Sequence, residues 1–376
     1  MKKNFFILFV ISLVIVLNFP TNIFAMKSQK NKPVLLIYNK KYGLLDNNLE
    51  VVVSPQYEKG FITADKNYVV FGKFKDLNYD FSVMDFNGNK LFSKETKFNG
   101  VKNISSEQLF FESLNKNEDN IIYIPSKDKI IPIKEKLYNI YSVTNSCESQ
   151  NFIAAGKFYY DIEQQKKIFE DKEFIHVMPM LDSVAIVVDK NFKKKIIKKN
   201  GEIIFDDVIN SGRYFAEGLL AVKGKNKSGF IDKSGKYVFE CSIFPDGSDS
   251  PKGTPNLNCS FSEGLVYVQT KIDTWTLFSK DGKVIKENLQ YYPTGNVYSD
   301  GYLLVYDKEE NKLGFLNKKG EVEIPFILDE ASSFVNGYAN VIYDGKDALI
   351  DLEGNLFLCE DLLNNNKVSK FNLKHK

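Results

Sequence analysis

An internal repeat constrains this chain more than any other feature of its sequence. Four stretches share one plan: a short apolar run, a polar turn that ends in glycine, and a second apolar run. They begin at Lys227, Thr274, Lys312 and Asp347. Glycine supplies the positive φ that tight hairpin turns need, so each stretch predicts a β-hairpin. Weaker copies bring the total to nine hairpins and begin at Lys41, Tyr79, Asn120, Lys157 and Lys193.

The spacing of the turn glycines shows how much of the chain the repeat occupies. Glycines at positions 201, 235, 282, 320 and 354 are 34, 47, 38 and 34 residues apart. The 351 residues that follow position 25 amount to 39 residues per hairpin. The repeat therefore accounts for nearly the whole chain and leaves no room for a separate catalytic domain.

A second recurring element accompanies the hairpins in the later part of the chain. An aromatic or apolar residue leads into an acid or amide, then glycine, then an apolar strand. These elements begin at Phe215, Phe261, Val297 and Phe334. With this element added, each unit offers about three strands.

A unit of three strands cannot bury its apolar face in water alone, so neighbouring units must stack. The two all-β solutions for a period near 40 residues are a β-propeller, which closes into a ring, and an open β-solenoid, which needs caps. We predict an all-β, propeller-like array of about nine hairpin or three-stranded units, because closure removes exposed sheet edges. The open solenoid is the alternative.

The repeat resembles the WG-repeat family of bacterial proteins. The resemblance is carried by two stretches together with their acid-glycine elements: Lys227–Phe239 with Phe261–Val268, and Lys312–Pro325 with Phe334–Val341. It implies a β architecture across residues 33–360 and no particular activity.

The signature Trp of that family is mostly replaced. Tyr, Ser and Leu precede the signature glycine at Tyr42–Gly43, Ser228–Gly229 and Leu313–Gly314, and Trp275 is followed by Thr276. Loss of the Trp removes a large packing residue but leaves the turn chemistry of the hairpin intact, so the architecture should persist.

The N-terminus has the layout of a secretory signal peptide over residues 1–25. Lys2 and Lys3 precede an apolar run from Phe5 to Phe19, and the segment ends at Ala25. The apolar run is shorter than the ~20 residues that a spanning helix needs. We expect cleavage after Ala25, no membrane span in the mature protein, and a secreted or cell-envelope location. An uncleaved N-terminal membrane anchor is the alternative.

Residues 361–376 carry lysines, no periodicity and only one acid, Asp361. We expect a flexible basic tail; the alternative is a weak contact with an anionic surface.

The charge composition argues against nucleic acid as a partner. Lys and Arg total 50 against 48 Asp and Glu, and Arg213 is the one arginine. Phosphate readers use bidentate arginines and a basic surplus. Two histidines and four cysteines also leave little material for histidine catalysis or a zinc site. We predict no cofactor and no metal.

The 47-residue spacing contains an insertion, Ser242–Ser260, rich in Pro, Gly, Ser and Asp. Cys241 and Cys259 stand at its two ends, and oxidising export compartments permit a disulfide between them. The alternative is two unrelated thiols. The insertion predicts an exposed recognition loop, or else an insertion without a partner. Its candidate contact residues are Phe244, Asp246, Asp249, Asn256 and Asn258.

Other candidate sites have a structural explanation beside the functional one. Asp85–Asn89 resembles the start of a calcium loop, but Thr96 stands where the bidentate Glu belongs, which favours a hairpin turn. His176 lies between apolar residues and favours a structural role. Four tyrosines could stack on sugars or pack in the core: Tyr159, Tyr160, Tyr291 and Tyr292.

We therefore expect an exported, non-enzymatic repeat protein, monomeric, that binds an unknown protein or glycan. The alternative is a carbohydrate-active enzyme on a propeller scaffold. Such an enzyme needs two carboxylates about 5–10 Å apart in one pocket.

Overall fold

The computed structural model describes residues 32–75, 78–93, 98–113, 118–135, 137, 140, 151–181, 183–212, 214–243, 259–294, 297–364 and 371–375. These residues form 34 β-strands, one short helix, α1 (Cys359–Leu363), and two short 3-10 helices, Pro125–Lys127 and Leu373–His375. The all-β prediction is confirmed. No helix in the described part of the chain is long and apolar enough to cross a membrane.

The strands form nine antiparallel blades in chain order. Blades 1 to 3 contain β1 (Val34–Tyr38), β2 (Lys41–Leu45), β3 (Val51–Tyr57); β4 (Lys59–Ile62), β5 (Val69–Lys75), β6 (Asn78–Met84), β7 (Lys90–Ser93); and β8 (Phe98–Asn103), β9 (Leu109–Ser113), β10 (Asn120–Ile124), β11 (Lys129–Ile133). Blades 4 to 6 contain β12 (Phe152–Ala155), β13 (Phe158–Asp161), β14 (Lys166–Ile168); β15 (Phe174–Val177), β16 (Val184–Asp189), β17 (Lys194–Lys198), β18 (Ile203–Val208); and β19 (Asn210–Ser211), β20 (Leu219–Lys223), β21 (Ser228–Asp232), β22 (Tyr237–Glu240). Blades 7 to 9 contain β23 (Leu265–Lys271), β24 (Thr274–Ser279), β25 (Val284–Leu289); β26 (Tyr292–Pro293), β27 (Leu303–Asp307), β28 (Lys312–Leu316), β29 (Val322–Leu328); and β30 (Glu330–Ala331), β31 (Tyr338–Tyr343), β32 (Lys346–Asp351), β33 (Asn355–Leu358), β34 (Phe371–Asn372).

Strands that are consecutive in the chain are neighbours within each blade. One additional pairing joins two blades. Blades 2 and 3 merge into one eight-stranded sheet because β6 pairs with β8 at Tyr79 and Phe98. Each of the nine predicted hairpins joins two neighbouring strands of one blade, and the blade count matches the predicted number of units.

In several hairpins an Asp or Asn side chain at the end of the first strand, or directly after it, holds the turn. Asp232 Oδ1 accepts hydrogen bonds from the backbone N–H groups of Ser234 (2.8 Å) and Lys236 (3.1 Å). Asp85 Oδ1 does the same for Asn87 and Asn89, both at 2.9 Å. These are Asx-type turns, so the predicted hairpin at Asp85–Asn89 is confirmed.

A close approach of backbone explains the signature glycine. The third strand of the blade has a register shift opposite Gly43 and Gly314. A Cβ atom on Gly314 would lie 2.7 Å from the carbonyl oxygen of Ile324, and one on Gly43 would lie 2.5 Å from that of Val53. The glycine leaves room for the neighbouring strand.

The hydrophobic core is divided among the contacts between blades. Nine clusters of buried side chains occur in the described residues, one between each pair of neighbouring blades. One of them joins Val34 and Leu36 of blade 1 to Leu349 and Phe357 of blade 9. The first and last blades are therefore packed together like any other pair.

Hydrogen bonds reinforce this closing contact. Asn340 Oδ1 of β31 accepts the backbone N–H of Ile37 (2.8 Å), and Asn340 Nδ2 donates to the carbonyl oxygen of Leu35 (2.9 Å). A single carboxamide thus bridges the backbone of β1. The array is a closed β-propeller, as predicted, and not an open solenoid.

The end of the chain differs from the flexible tail that its composition predicts. Residues 371–375 lie against blade 9, where β34 pairs with β33 and Leu373 is fully buried. Lys374 Nζ contacts Glu323 Oε1 (2.7 Å) and donates to Tyr302 OH (3.1 Å). Burial of Leu373 and pairing of the lysine hold the segment in place.

The glycine argument makes a direct stability prediction. Substitution of Gly314→Ala should lower the free energy of unfolding by about 2–4 kcal/mol, because the new methyl group meets the fixed backbone of β29. Chemical denaturation measures the change. Gly100→Ala is the matched control, since a Cβ atom there meets nothing within 4 Å; an equal loss in both variants would contradict the explanation.

Candidate functional site

The acid-glycine elements form tight two-residue turns. In blade 8, the backbone of Ser299 and Tyr302 exchanges two hydrogen bonds, at 2.9 and 3.1 Å. The residues between them, Asp300 and Gly301, have φ values of 50° and 90°. Two successive positive φ angles define a type I′ turn, which requires Asn, Asp or Gly in most proteins. The acid-glycine element therefore encodes a type I′ turn.

The acid of each turn also reaches the next blade. Its carboxylate accepts the backbone N–H of the turn glycine one unit further along the chain. The three contacts join Glu217 to Gly264 (3.1 Å), Glu263 to Gly301 (2.9 Å), and Asp300 to Gly337 (2.8 Å). We call these contacts the turn clasps. They connect blades 6 to 9 in sequence.

The series ends at the closing contact of the ring. Asn336, at the acid position of blade 9, donates from Nδ2 to the carbonyl oxygens of Pro33 (2.8 Å) and Lys66 (3.1 Å). Lys66 lies in the β4–β5 turn of blade 2, and its Nζ is 2.6 Å from Asp300 Oδ1 of blade 8. Blades 9 and 1 stand between blades 8 and 2 on the ring, so this ion pair lies toward the ring axis.

A cavity of about 380 Å³ lies beside this ion pair, and we call it the axial cavity. Residues from blades 2, 3, 8 and 9 line it. Because blades 3 and 8 are not neighbours, a cavity that both reach lies toward the axis of the ring rather than between two adjacent blades. Its polar lining consists of Thr63, Lys66, Lys102, Asn103 and Ser299.

The polar side chains that line the cavity differ in whether they already form an ion pair or a hydrogen bond within the protein. Lys66 is paired with Asp300, and Ser299 Oγ donates to the carbonyl oxygen of Phe334 (2.6 Å). Lys102 Nζ donates to the carbonyl oxygen of Ile140 (3.0 Å) and makes no ion pair among the described residues. This hydrogen bond directs the ammonium of Lys102 toward the contact between blades 3 and 4.

Asn103 has unused hydrogen-bonding capacity. Its Oδ1 is buried and accepts no hydrogen bond from the described part of the protein. Such an acceptor is destabilising by about 1–3 kcal/mol unless a donor reaches it. None of the residues that line the cavity is a carboxylate. No group of three or more His, Cys, Asp or Glu side chains suited to a metal ion occurs in the described ranges.

Phe244, Asp246, Asp249, Asn256 and Asn258 fall outside the described residues. Cys241 and Cys259 both belong to the cluster between blades 6 and 7, where they are present as free thiols. Burial raises the pKa of the Cys241 thiol to about 12. The disulfide stays a prediction.

The four tyrosines pack between blades. Tyr159 and Tyr160 are fully buried, and Tyr291 and Tyr292 are half-buried against the cluster between blades 7 and 8. Tyr159 OH donates to the carbonyl oxygen of Met178 (2.7 Å). His176 lies in β15 as expected, and its pKa is lowered by burial and by Lys194.

The signature Trp position holds a buried lysine in blade 5. Lys194 lies opposite Val188 and Val208 in the neighbouring strands. A register shift follows Lys194 in blade 5, just as one follows Trp275 in blade 7. Its Nζ donates to Asn210 Oδ1 of blade 6 (3.0 Å), and burial lowers the pKa of the amine from 10.5 to about 8. A charged group thus replaces an aromatic ring at one contact between blades.

Lys66, Lys102, Asn103 and Asn336 were not predicted as site residues. Asn336 stands at the acid position of the acid-glycine element, so its sequence position was visible in the repeat. The other three occur in blades 2 and 3, where the copies of the repeat are weak and no local pattern marks these residues.

A family model described as WG containing repeat matches residues 314–346. The chain carries a WG-type repeat. The match runs from β28 of blade 8 to the start of β32 in blade 9, so it includes Gly337, the glycine of the last turn clasp. The predicted resemblance is confirmed there. No curated protein matches the chain.

Several solved structures are similar to this chain at low sequence identity. A structure described as a eukaryotic initiation factor is 9% identical, covers 92% of this chain and 96% of its own, and has a TM-score of 0.54. BamB from Moraxella catarrhalis is 10% identical over 82% of this chain and 90% of its own, with a TM-score of 0.38. AztD from Citrobacter koseri is 15% identical over 78% and 91%, with a TM-score of 0.37.

The ion pair between Lys66 and Asp300 should stabilise the ring. Each of Asp300→Asn and Lys66→Met should lower the free energy of unfolding, with a coupling of about 1 kcal/mol in the double-mutant cycle, because both side chains are partly buried. Asparagine keeps an acceptor for Gly337, so the cycle isolates the charge.

The matched control for this cycle is the exposed pair of Asp273 and Lys308, which also joins two blades. Its coupling should be near zero because both side chains are more than half exposed. Equal coupling in the two cycles would contradict a special role for the axial pair.

The buried amine of Lys194 predicts a pH-dependent stability. Below pH 8 the amine is charged in both states, so the folded protein carries the full penalty of burial. Between pH 8 and 10.5 the unfolded state binds more protons, and stability gains from the depressed pKa as pH rises. Lys194→Met should be relatively more stable at pH 7 than at pH 10.5 by about 2–3 kcal/mol.

Denaturation of the wild type and the variant at pH 7, 9 and 10.5 checks this. The exposed neighbour Lys193→Met serves as the control and should show no such trend. A pH-independent difference between wild type and Lys194→Met would exclude the buried charge.

Proposed function

We propose that this chain is exported and that its propeller is a non-enzymatic binding scaffold at the cell envelope or outside the cell. The axial cavity is the proposed binding site. One observation carries the proposal: blades 2 and 3, near the start of the chain, and blades 8 and 9, near its end, together line a cavity with both apolar and polar walls. Its volume lies in the range of small-ligand pockets, about 300–1,000 Å³.

The lining of the cavity supports binding over glycoside hydrolysis. Hydrolysis needs a carboxylate pair in the pocket, and the lining residues are lysines, an asparagine, hydroxyl residues and apolar side chains. A protein or a glycan remains the proposed class of partner, with one side group of the partner entering the cavity. Export rests on the signal-like segment of residues 1–25.

The binding role can be tested with a variant that fills the cavity. Ala64 lines the cavity and is half-buried, so Ala64→Phe should occupy the space without crossing the core. The full chain is expressed with export, and its intact mass should correspond to a protein that starts at Met26. The exported protein is then applied to glycan, peptidoglycan and peptide arrays. We expect at least one interaction that the variant weakens about tenfold or more.

Lys73→Phe is the control, because Lys73 is exposed on the same blade. It should retain the interaction, and both variants should unfold at the wild-type temperature. Interactions that Ala64→Phe leaves unchanged would place binding elsewhere, and the absence of any interaction would contradict the scaffold role.

A further inference from the structure

Neighbouring residues of β8 face different blades, and this determines which of them can meet a ligand in the axial cavity. Lys102 lies opposite Phe110, and its Nζ donates to the carbonyl oxygen of Ile140 (3.0 Å) in the same cluster between blades 3 and 4. Asn103 lies opposite Leu109, which belongs to the cluster between blades 2 and 3. Residues opposite each other in an antiparallel pair point to the same face of the sheet. Asn103 therefore faces blade 2 and the cavity, whereas the ammonium of Lys102 lies outside it.

The charged groups of the cavity wall are already paired with protein partners. Lys66 Nζ lies 2.6 Å from Asp300 Oδ1 and 3.5 Å from Ser299 Oγ. The carboxylate of Asp65, in the same turn as Lys66, accepts hydrogen bonds from Asn67 N (3.1 Å) and Asn67 Nδ2 (3.0 Å). Two carboxylates thus stand beside one ammonium group, and the cavity has no surplus of positive charge.

The carboxamide of Asn103 has hydrogen-bonding capacity that the described part of the protein leaves unused. Its Oδ1 is buried and accepts no hydrogen bond there. A carboxamide both donates and accepts, as a hydroxyl group does. Apolar side chains from blades 2, 3 and 9 complete the lining: Phe61, Ile62, Ala64, Val101 and Val335.

From this arrangement we infer that the axial cavity binds a neutral sugar ring, the terminal residue of a glycan. Hydroxyl groups of the ring would hydrogen-bond to the Asn103 carboxamide and to the third N–H of Lys66. The C–H face of the ring would pack against Phe61, Val101 and Val335. The inference rests on the proposed function and specifies the partner of the same site.

The paired charges favour a neutral ligand over a charged one. Asp300 Oδ1 binds Lys66, and its Oδ2 accepts the backbone N–H of Gly337 (2.8 Å), so neither oxygen is available to an ammonium group. An anion would meet two carboxylates and one cation that is already paired. A neutral ring loses no ionic hydration when it enters the cavity. An apolar peptide side chain would leave the Asn103 carboxamide without a partner, which favours a glycan over a peptide.

Neutral probes test the inference directly: the methyl glycosides of glucose, galactose, mannose and N-acetylglucosamine. Ligand-observed NMR titrations with the full chain, up to about 20 mM probe, measure their affinities. At least one glycoside should bind, and its uronic acid and amino sugar counterparts should bind about tenfold more weakly or worse. Cyclohexanol, which keeps a six-membered ring and lacks most of the hydroxyl groups, should also bind about tenfold more weakly.

Variants assign the recognition to Asn103. Asn103→Leu should weaken binding of that glycoside about tenfold or more, and it should unfold at or above the wild-type temperature because it removes a buried acceptor that lacks a donor. Asn226→Leu is the matched control at an exposed turn position and should change neither property. Lys102→Met should leave binding unchanged, because its ammonium points toward blade 4. Ala64→Phe fills the cavity, should abolish binding, and provides a second test that does not alter Asn103.

The outcomes distinguish this inference from the proposed function. The inference is wrong if none of the glycosides binds, or if a charged counterpart binds as tightly as the neutral glycoside. It is also wrong if Asn103→Leu or Ala64→Phe binds the glycoside like the wild type. Array interactions with peptides that Ala64→Phe weakens would make the cavity a site for a protein partner; they would overturn the inference and still support the scaffold role.

Discussion

Apolar packing between neighbouring blades is the interaction on which the rest of this structure depends. A single blade of three to five strands has two faces and cannot bury either of them alone. Nine clusters in the described residues solve this for every blade, including the contact between blades 9 and 1. Closure also removes the two unpaired ends that a solenoid would leave to caps. The ring is therefore the state in which each blade packs apolar side chains against two neighbours.

The turn clasps limit the relative position and orientation of neighbouring blades, which apolar packing alone leaves open. Apolar contacts between similar units do not by themselves specify how far one blade slides or rotates against the next. A carboxylate that accepts the N–H of the next glycine does, because a hydrogen bond has a narrow range of distance and angle. The same turns carry Asp300 and Asn336 to the axis, where they meet Lys66 of blade 2. The geometry that aligns the blades thus also builds one wall of the cavity.

The sequence was sufficient for the local structure and insufficient for the long-range contacts. Turn glycines and apolar runs predict all nine hairpins, because a type of turn and a period of two are local properties. Lys66 and Asp300 are 234 residues apart, and no local pattern relates them. The sequence favoured closure but left the open solenoid as an alternative, and the packing of Leu349 against Val34 decides between them. The position of residues 371–375 against blade 9 is also a long-range contact, because it depends on the burial of Leu373, which a run of lysines does not reveal.

Divergence among the repeats is what gives the ring a specific cavity. Identical blades would place the same side chains around the axis and produce a symmetric surface with no distinct walls. Blades 8 and 9, which carry the family match, contribute Ser299 and Val335, a small and an apolar side chain. Blades 2 and 3, which are among the blades with weaker copies of the repeat, contribute Lys66, Lys102 and Asn103. The hairpin scaffold tolerates this change because its turns and its glycine contacts, unlike the side chains at the axis, determine the path of the backbone. Functional chemistry is therefore expected where the repeat is least regular.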